Sequence, residues 1–435
     1  MKSALRWILL PAACLHLLTL GYAWYAGEWY LKDSLEYGYA ADNLIREGRL
    51  YAGPPDEPFR TEYLTKRPPV YPFLIGVFRS MTGGDGFLLL LQAGISLFTL
   101  WLTCRLIFHI YPSFKQWKWL LPFILLYPAQ YIYANLVMTE LWLQAILLGM
   151  TFALWKGWER GQIKWVWIYS GLLVVGMFTK PVLYLFVFPH LVVVGLFIWR
   201  YKRWTGVFAA LLPLLLMLGY MQMNKARTGY FHFSSIQNLS LLQYTTTSYL
   251  IQTEGYDFAE AIVDTLYYRA QRNPDFAEGQ RNIQAGCVDI LFANPGRYAL
   301  YHLRGMMNFF LDPGRFDLFT FLQIESVGGG GLFDAYSIGG YRGIWQYLGK
   351  QPVSVLALLL LVALINGLKM VALPVSLLHK HFNWIERGIL LLFILYIAGL
   401  TGISGASRFA VPVFPLLLLG VGGALAFWQS RNAKG

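Results

Sequence analysis

Apolar positions along this 435-residue chain come in long, nearly unbroken runs, without the alternation of half-buried strands. The runs fall at about 5–25, 87–108, 119–137, 141–155, 165–178, 182–198, 207–223, 353–378, 388–403 and 410–428. A stretch of about 18 or more apolar residues is long enough, as a helix, to cross the hydrocarbon of a bilayer. Inside that hydrocarbon, a helix satisfies its own backbone hydrogen bonds. Shorter runs, such as 165–178, extend into flanking residues. The pattern predicts an all-α polytopic membrane protein of about ten transmembrane helices with a partly helical outer domain.

Composition agrees. Hydrophobic residues make up 57% of the chain and charged ones 13%, against roughly 25% charged in soluble domains. The 16 Trp and 28 Tyr cluster at the ends of the apolar runs, as interfacial belts require. The net charge of +12 would point to nucleic acid in a soluble protein. Here the cations fall in alternate short loops: Arg105, Lys115 and Lys118; Lys156, Arg160 and Lys164; Arg200, Lys202 and Arg203; Lys380 and Arg387; Arg431 and Lys434. The positive-inside rule accounts for that alternation and puts both termini on the inner side. No nucleic-acid partner is expected. The first run, preceded by Lys2 and Arg6, reads as an uncleaved helix, because no small-x-small cleavage site precedes a polar mature start. Cys14, Cys104 and Cys287 suggest no disulfide, and no Cys/His cluster has zinc-site spacing.

Three regions follow. Residues 1–223 form an N-terminal membrane domain whose first outer loop spans 28–69. Residues 224–351 form a large outer segment, with a helix-like stretch at 258–270 and a Gly-rich turn at Gly328–Gly331. Residues 352–435 supply the last membrane helices. No inverted repeat of the transporter kind is visible.

Ionisable residues at a membrane boundary are costly unless solvated, paired or functional. Asp33 and Glu36 lie three apart beyond the first run, on one face of a helix; an ordinary interfacial helix is the bland alternative. Lys66 and Arg67 precede the stiff Pro68-Pro69-Val70-Tyr71-Pro72 re-entry, where headgroup anchoring would serve as well. Glu140 opens the fourth run. Lys180 and Arg408 stand at outer helix ends, where snorkelling to headgroups is the plain account. Together, carboxylates and cations converge on one outer level. That mixture suits a phosphate held at headgroup height beside a general base.

The segment Asp33-Ser34-Leu35-Glu36-Tyr37, continuing through Asp42-Asn43, Gly48 and Tyr51 to Arg67-Pro68-Pro69-Val70-Tyr71-Pro72, resembles the GT-C membrane glycosyltransferases. These include protein O-mannosyltransferases and the aminoarabinose transferase that acts on lipid A. In that group an acid just beyond the first span is followed by an amphipathic helix, a Gly turn and a Pro-Pro-x-Tyr-Pro-like re-entry. Glu140 and the Arg408-Phe409-x-x-Pro412-x-x-Pro415 ending are weaker matches. The layout covers the membrane portion, the motifs about a tenth of the residues.

The resemblance implies a polyprenyl-phosphate-linked sugar donor and an inverting transfer outside the membrane. It makes Asp33 the catalytic base and Glu36 the second candidate. Lys66, Arg67, Lys180 and Arg408 would hold the phosphate, and Glu140 and Tyr71 the sugar or acceptor; Tyr244 is a further stacking candidate. No cofactor is required. Some relatives carry adjacent acids, but Ser34 and Leu35 intervene here, which speaks against a metal site. The resemblance also places the chain in a bacterial inner membrane, with both termini cytoplasmic and the site periplasmic. The acceptor stays open: lipid, glycan or protein. The rival readings are a lipid or solute transporter and an O-antigen-ligase-like enzyme using a diphosphate-linked donor. For the latter, His232 and His302 are outer histidines without a recognisable constellation.

Overall fold

The computed structural model describes residues 2–112, 114–324, 332–350, 352–378, 384–402 and 405–432. The expected Gly328–Gly331 turn and the loop cations Lys380 and Lys434 lie outside the described residues. Among the described residues every regular element is helical. Six helices are long and apolar enough to cross a membrane: Ser3–Ala26, Gly86–Ile110, Pro181–Tyr201, Gly206–Thr228, Val353–Leu377 and Ser407–Arg431. The chain is an integral membrane protein.

The N-terminal part runs through α1 (Lys2–Ala26), α2 (Lys32–Glu47), α3 (Val70–Thr82) and α4 (Gly86–Ile110). The amphipathic α2 buries Ser34, Glu36, Tyr37, Ala40 and Ala41 against α3. It stops at Gly48, whose φ of 64° is the left-handed conformation that terminates a helix without a Cβ penalty. Pro69 precedes α3 and begins it where a missing N–H costs nothing.

The 119–137 run is not one helix. It is broken into a 3-10 turn (Trp117–Leu120), α5 (Leu121–Leu125) and α6 (Pro128–Ala134). Pro128 cannot continue the preceding ladder, and the break turns Tyr127 and Tyr133 inward, both buried. Then follow α7 (Glu140–Arg160), α8 (Ile163–Thr179), the 3-10 turn Pro181–Phe186, α9 (Val187–Tyr201) and α10 (Gly206–Thr228).

Residues 236–349 build α11 (Ile236–Ser240), α12 (Thr247–Glu254), α13 (Tyr256–Arg272), α14 (Phe276–Phe292), α15 (Pro295–Leu311), α16 (Arg315–Phe321) and α17 (Leu332–Gly349). The helix expected at 258–270 is α13. This stretch divides between two kinds of apolar packing. Residues 241–301 carry their own small apolar clusters around Leu242, Ile283 and Tyr249. Phe309 and Phe321, however, belong to the same core as the membrane helices. The chain closes with α18 (Val353–Leu377), α19 (Trp384–Thr401), α20 (Ser407–Ala410) and α21 (Phe414–Asn432). α18 packs along α21, and α7 along α8.

Polar residues inside the bundle are hydrogen-bonded to each other. Gln130 donates to Ser96 (2.7 Å) and to Gln144 (2.9 Å), and Gln144 donates back to Gln130 (2.8 Å) and to the Val411 carbonyl (2.6 Å). In lipid such groups have no water to fall back on, so this network ties α4, α6, α7 and the turn before α21 together.

Candidate functional site

Distant stretches of sequence deliver charged side chains to one place. α2 contributes Asp33 and Glu36, the loop before α3 contributes Lys66 and Arg67, the first residue of α7 is Glu140, Lys180 comes from the break after α8, and Arg408 from the short α20. Arg67 Nη2 donates to Asp33 Oδ1 at 2.7 Å and its Nε donates to Glu36 Oε2 at 2.9 Å. Its guanidinium also lies 4.6 Å from the Tyr37 ring centre. Lys66 Nζ is 2.9 Å from Glu36 Oε1. On the other side Arg408 Nη2 donates to Asp33 Oδ2 and its Nε to Glu140 Oε1, both at 2.6 Å. Lys180 Nζ completes the row, 3.0 Å from Glu140 Oε1.

Seven of the eight residues singled out in the sequence thus form one connected ion network. Four cations face three carboxylates, which leaves one unit of formal positive charge before any ligand arrives. The network is mostly buried: Glu140 is fully enclosed, and the Arg67 and Arg408 side chains are 7% and 20% exposed. Charges so enclosed are costly to isolate, so each holds the others in place. Among the described residues Glu140 Oε2 has no hydrogen-bond partner, although it is buried.

Asp33 spends both oxygens on guanidiniums. Burial opposes its ionisation, but Arg67 and Arg408 outweigh that and hold its carboxyl well below the usual carboxylate range. In this arrangement Asp33 is ionised, both its oxygens are engaged, and its basicity is low.

The eighth residue, Tyr71, sits elsewhere. It has no exposed surface, donates to Gln92 Oε1 at 2.9 Å and meets Tyr37 edge-on. It supports the floor beneath the network and has no face free to stack on a ligand. Tyr244 lies exposed in the turn between α11 and α12. His232 shares a 2.7 Å hydrogen bond with Thr65, and His302 Nε2 lies 2.8 Å from the Gly399 carbonyl; both tie segments together.

Beside the network lies a second polar group that hydropathy and charge along the sequence did not single out. Asp312 accepts from the Ser407 backbone N–H (2.6 Å) and the Gly314 N–H (3.1 Å). Asp317 accepts from the Tyr133 hydroxyl at 2.7 Å and from the Ser407 hydroxyl. Ser407 immediately precedes Arg408, so the two groups share a wall. Burial pushes Asp312 up to about 6 against those N–H donors, and burial likewise raises Asp317. The turn between them needs Gly314. Its φ is 73°, and a Cβ there would come within 2.8 Å of Ser407 Oγ. An Asp-Pro-Gly turn inside an aromatic stretch was the available signal. Lys369 is a second omission. It is 3% exposed in the middle of α18, with Nζ 3.9 Å from the Tyr127 ring centre. A single Lys in a 25-residue apolar helix marks it.

Comparison with known protein families, with curated proteins and with solved structures finds no match to this chain.

Proposed function

We propose that this protein transfers a sugar from a polyprenyl-phosphate-linked donor to an acceptor hydroxyl on the outer face of a bacterial inner membrane, as a glycosyltransferase of the GT-C kind. The observation that carries the reading is the network itself: Arg408 joins Asp33 and Glu140, residues 375 and 268 positions away, at hydrogen-bond distance. The topology belongs to the same reading. Ten crossings come from the six long apolar helices together with α7, α8, α19 and the broken 119–137 stretch, with both termini cytoplasmic.

On this reading the donor phosphate competes with Asp33 and Glu140 for Arg408 and Lys180. The donor's phosphodiester is a monoanion that suits a guanidinium fork, and its charge grows towards a dianion as the bond to the sugar breaks. As Arg408 turns to it, Asp33 Oδ2 is freed and its basicity rises. Asp33 then takes the proton of the acceptor hydroxyl as that oxygen attacks the anomeric carbon. The bond to the phosphate oxygen breaks on the opposite face, giving inversion in one displacement. The phosphate leaves as an anion already neutralised by cations, so no general acid is needed. Glu140 stays pinned by Lys180 and orients Arg408.

The test is consumption of polyprenyl-phosphate-linked sugars by the purified protein and by its Asp33→Asn variant. Undiminished transfer by the variant would exclude Asp33 as the base.

A further inference from the structure

A cavity of about 240 Å³ opens at the seam between the first outer loop and the helices α13 and α14. The seam is stitched by the segment that follows α10. Ser234 Oγ donates to the Lys66 carbonyl at 2.8 Å, Ser235 Oγ donates to the Glu62 carbonyl at 2.6 Å, and His232 meets Thr65. The outer segment is therefore fastened to the very loop that carries Lys66 and Arg67.

Lys66 is the common wall. It lines the cavity, while its ammonium reaches Glu36 and, through Glu36 and Arg67, Asp33. The rest of the lining mixes amides and the Arg60–Glu62 ion pair (3.8 Å) with aromatic faces. Gln271 and Gln280 each bring a donor and an acceptor. Gln271 Nε2 donates to the Tyr267 hydroxyl at 2.6 Å, which fixes that ring at the mouth. Phe59 and Phe276 supply further flat apolar surface. A lipid tail would leave the amides unpaired, and an extended peptide would need a strand edge or apolar side-chain pockets. A sugar satisfies both kinds of lining, since it presents hydroxyls around its rim and C–H bonds on its faces. The volume is below the roughly 300–1,000 Å³ of ligand pockets in general, so it suits the terminal residue of a larger molecule.

We infer that this cavity binds the acceptor, and that the acceptor is a carbohydrate. The inference rests on the transferase reading and gives the 224–351 segment a role, which is to build the acceptor pocket against the loop that leads to Asp33.

The experiment uses the full chain in nanodiscs, probed in two arms: a soluble oligosaccharide array, and nanodiscs doped with purified lipopolysaccharide. Wild type should bind glycan in at least one arm above empty-nanodisc background. Binding in the soluble arm assigns a free glycan; binding only in the doped nanodiscs assigns a membrane-linked one. Tyr267→Leu and Gln271→Ala should each weaken that binding at least tenfold, with melting temperatures confirming that they fold. Absence of glycan binding in both arms, or binding unchanged in both variants, would overturn the inference. Undecaprenyl phosphate binding by wild type is measured alongside. Its absence would sink the donor reading while leaving glycan binding at the seam intact.

Discussion

Two arginine clusters stand on neighbouring elements of this protein, built from the same chemical parts and arranged to different ends. Arg79, near the end of α3, donates to both oxygens of Asp85 (2.8 and 2.7 Å), to Asp42 (2.9 Å) and to the Gly38 carbonyl (3.2 Å). Tyr30 adds a hydroxyl to Asp85 at 2.7 Å. One cation meets two carboxylates, all within the stretch from Tyr30 to Asp85, and the guanidinium's donors are taken up locally. That cluster clamps α2 onto α3 and α4. The cluster around Arg408 joins residues hundreds of positions apart, carries more cations than carboxylates and leaves Glu140 Oε2 without a donor. A saturated local clamp has little left to offer a ligand. A cation-rich network between remote elements has an anion's place half prepared.

The sharpest way to break this contrast is to neutralise each arginine in turn. Arg408→Gln should lower transfer by about 10²–10³-fold, the scale of losing one electrostatic donor to a developing charge. It should also destabilise the protein by about 1–3 kcal/mol, because buried Glu140 loses one charged partner and keeps Lys180. Arg79→Gln should destabilise the fold while leaving the phosphate affinity of the molecules that remain folded unchanged. Equal losses of phosphate affinity in both variants, measured by titration with undecaprenyl phosphate, would erase the distinction.

Asp33→Asn follows, with an expected loss of about 10²–10⁴-fold, the range for a positioned proton acceptor. Since the folded carboxyl titrates well below the ordinary range, Asp33 ionisation stabilises the fold above the unfolded value. That contribution is lost only as pH falls through the depressed folded one. Stability should therefore show no Asp33-dependent step between neutral pH and about pH 5.

The neighbouring carboxylate behaves in the opposite sense. Asp312 titrates near 6 against an ordinary 3.8, so the folded state holds its proton more tightly than the unfolded chain does. Its contribution is greatest below the unfolded value and is lost as pH rises through about 6. Melting temperatures between about pH 4 and pH 7 should show a slope of that sign in wild type, flattened in Asp312→Asn. An unchanged slope would exclude Asp312 as its source.

The smallest effect is expected at Tyr71→Phe. The loss of one buried hydrogen bond to Gln92 should cost about 0.5–1.5 kcal/mol, with transfer unaffected. A large kinetic defect without loss of stability would return Tyr71 to the ligand-binding set.

Much of the site was legible because charge at a membrane boundary is rare and therefore conspicuous. Asp33, Glu36, Lys66, Arg67, Glu140, Lys180 and Arg408 could each be picked out that way, and the structure brings them together. What stayed hidden depends on tertiary placement. Tyr71 read as an outer aromatic, but α2 packs over it and Gln92 takes its hydroxyl. Asp312 and Asp317 do not stand out in the sequence, because hydropathy assigns 224–351 wholly to an outer segment. Phe309 and Phe321 instead anchor that stretch in the core shared with the apolar helices and bring its carboxylates beside Arg408. The interrupted 119–137 run misled in a similar way, since apolar length alone does not register the break at Pro128.

The central claim is that the Arg408 network receives a lipid-borne phosphate. The most direct measurement is undecaprenyl phosphate binding to the nanodisc-embedded protein, compared across wild type, Arg408→Gln and Arg79→Gln. The expected result is saturable binding that Arg408→Gln abolishes and folded Arg79→Gln retains. No binding by wild type, or equal binding by all three, would contradict it.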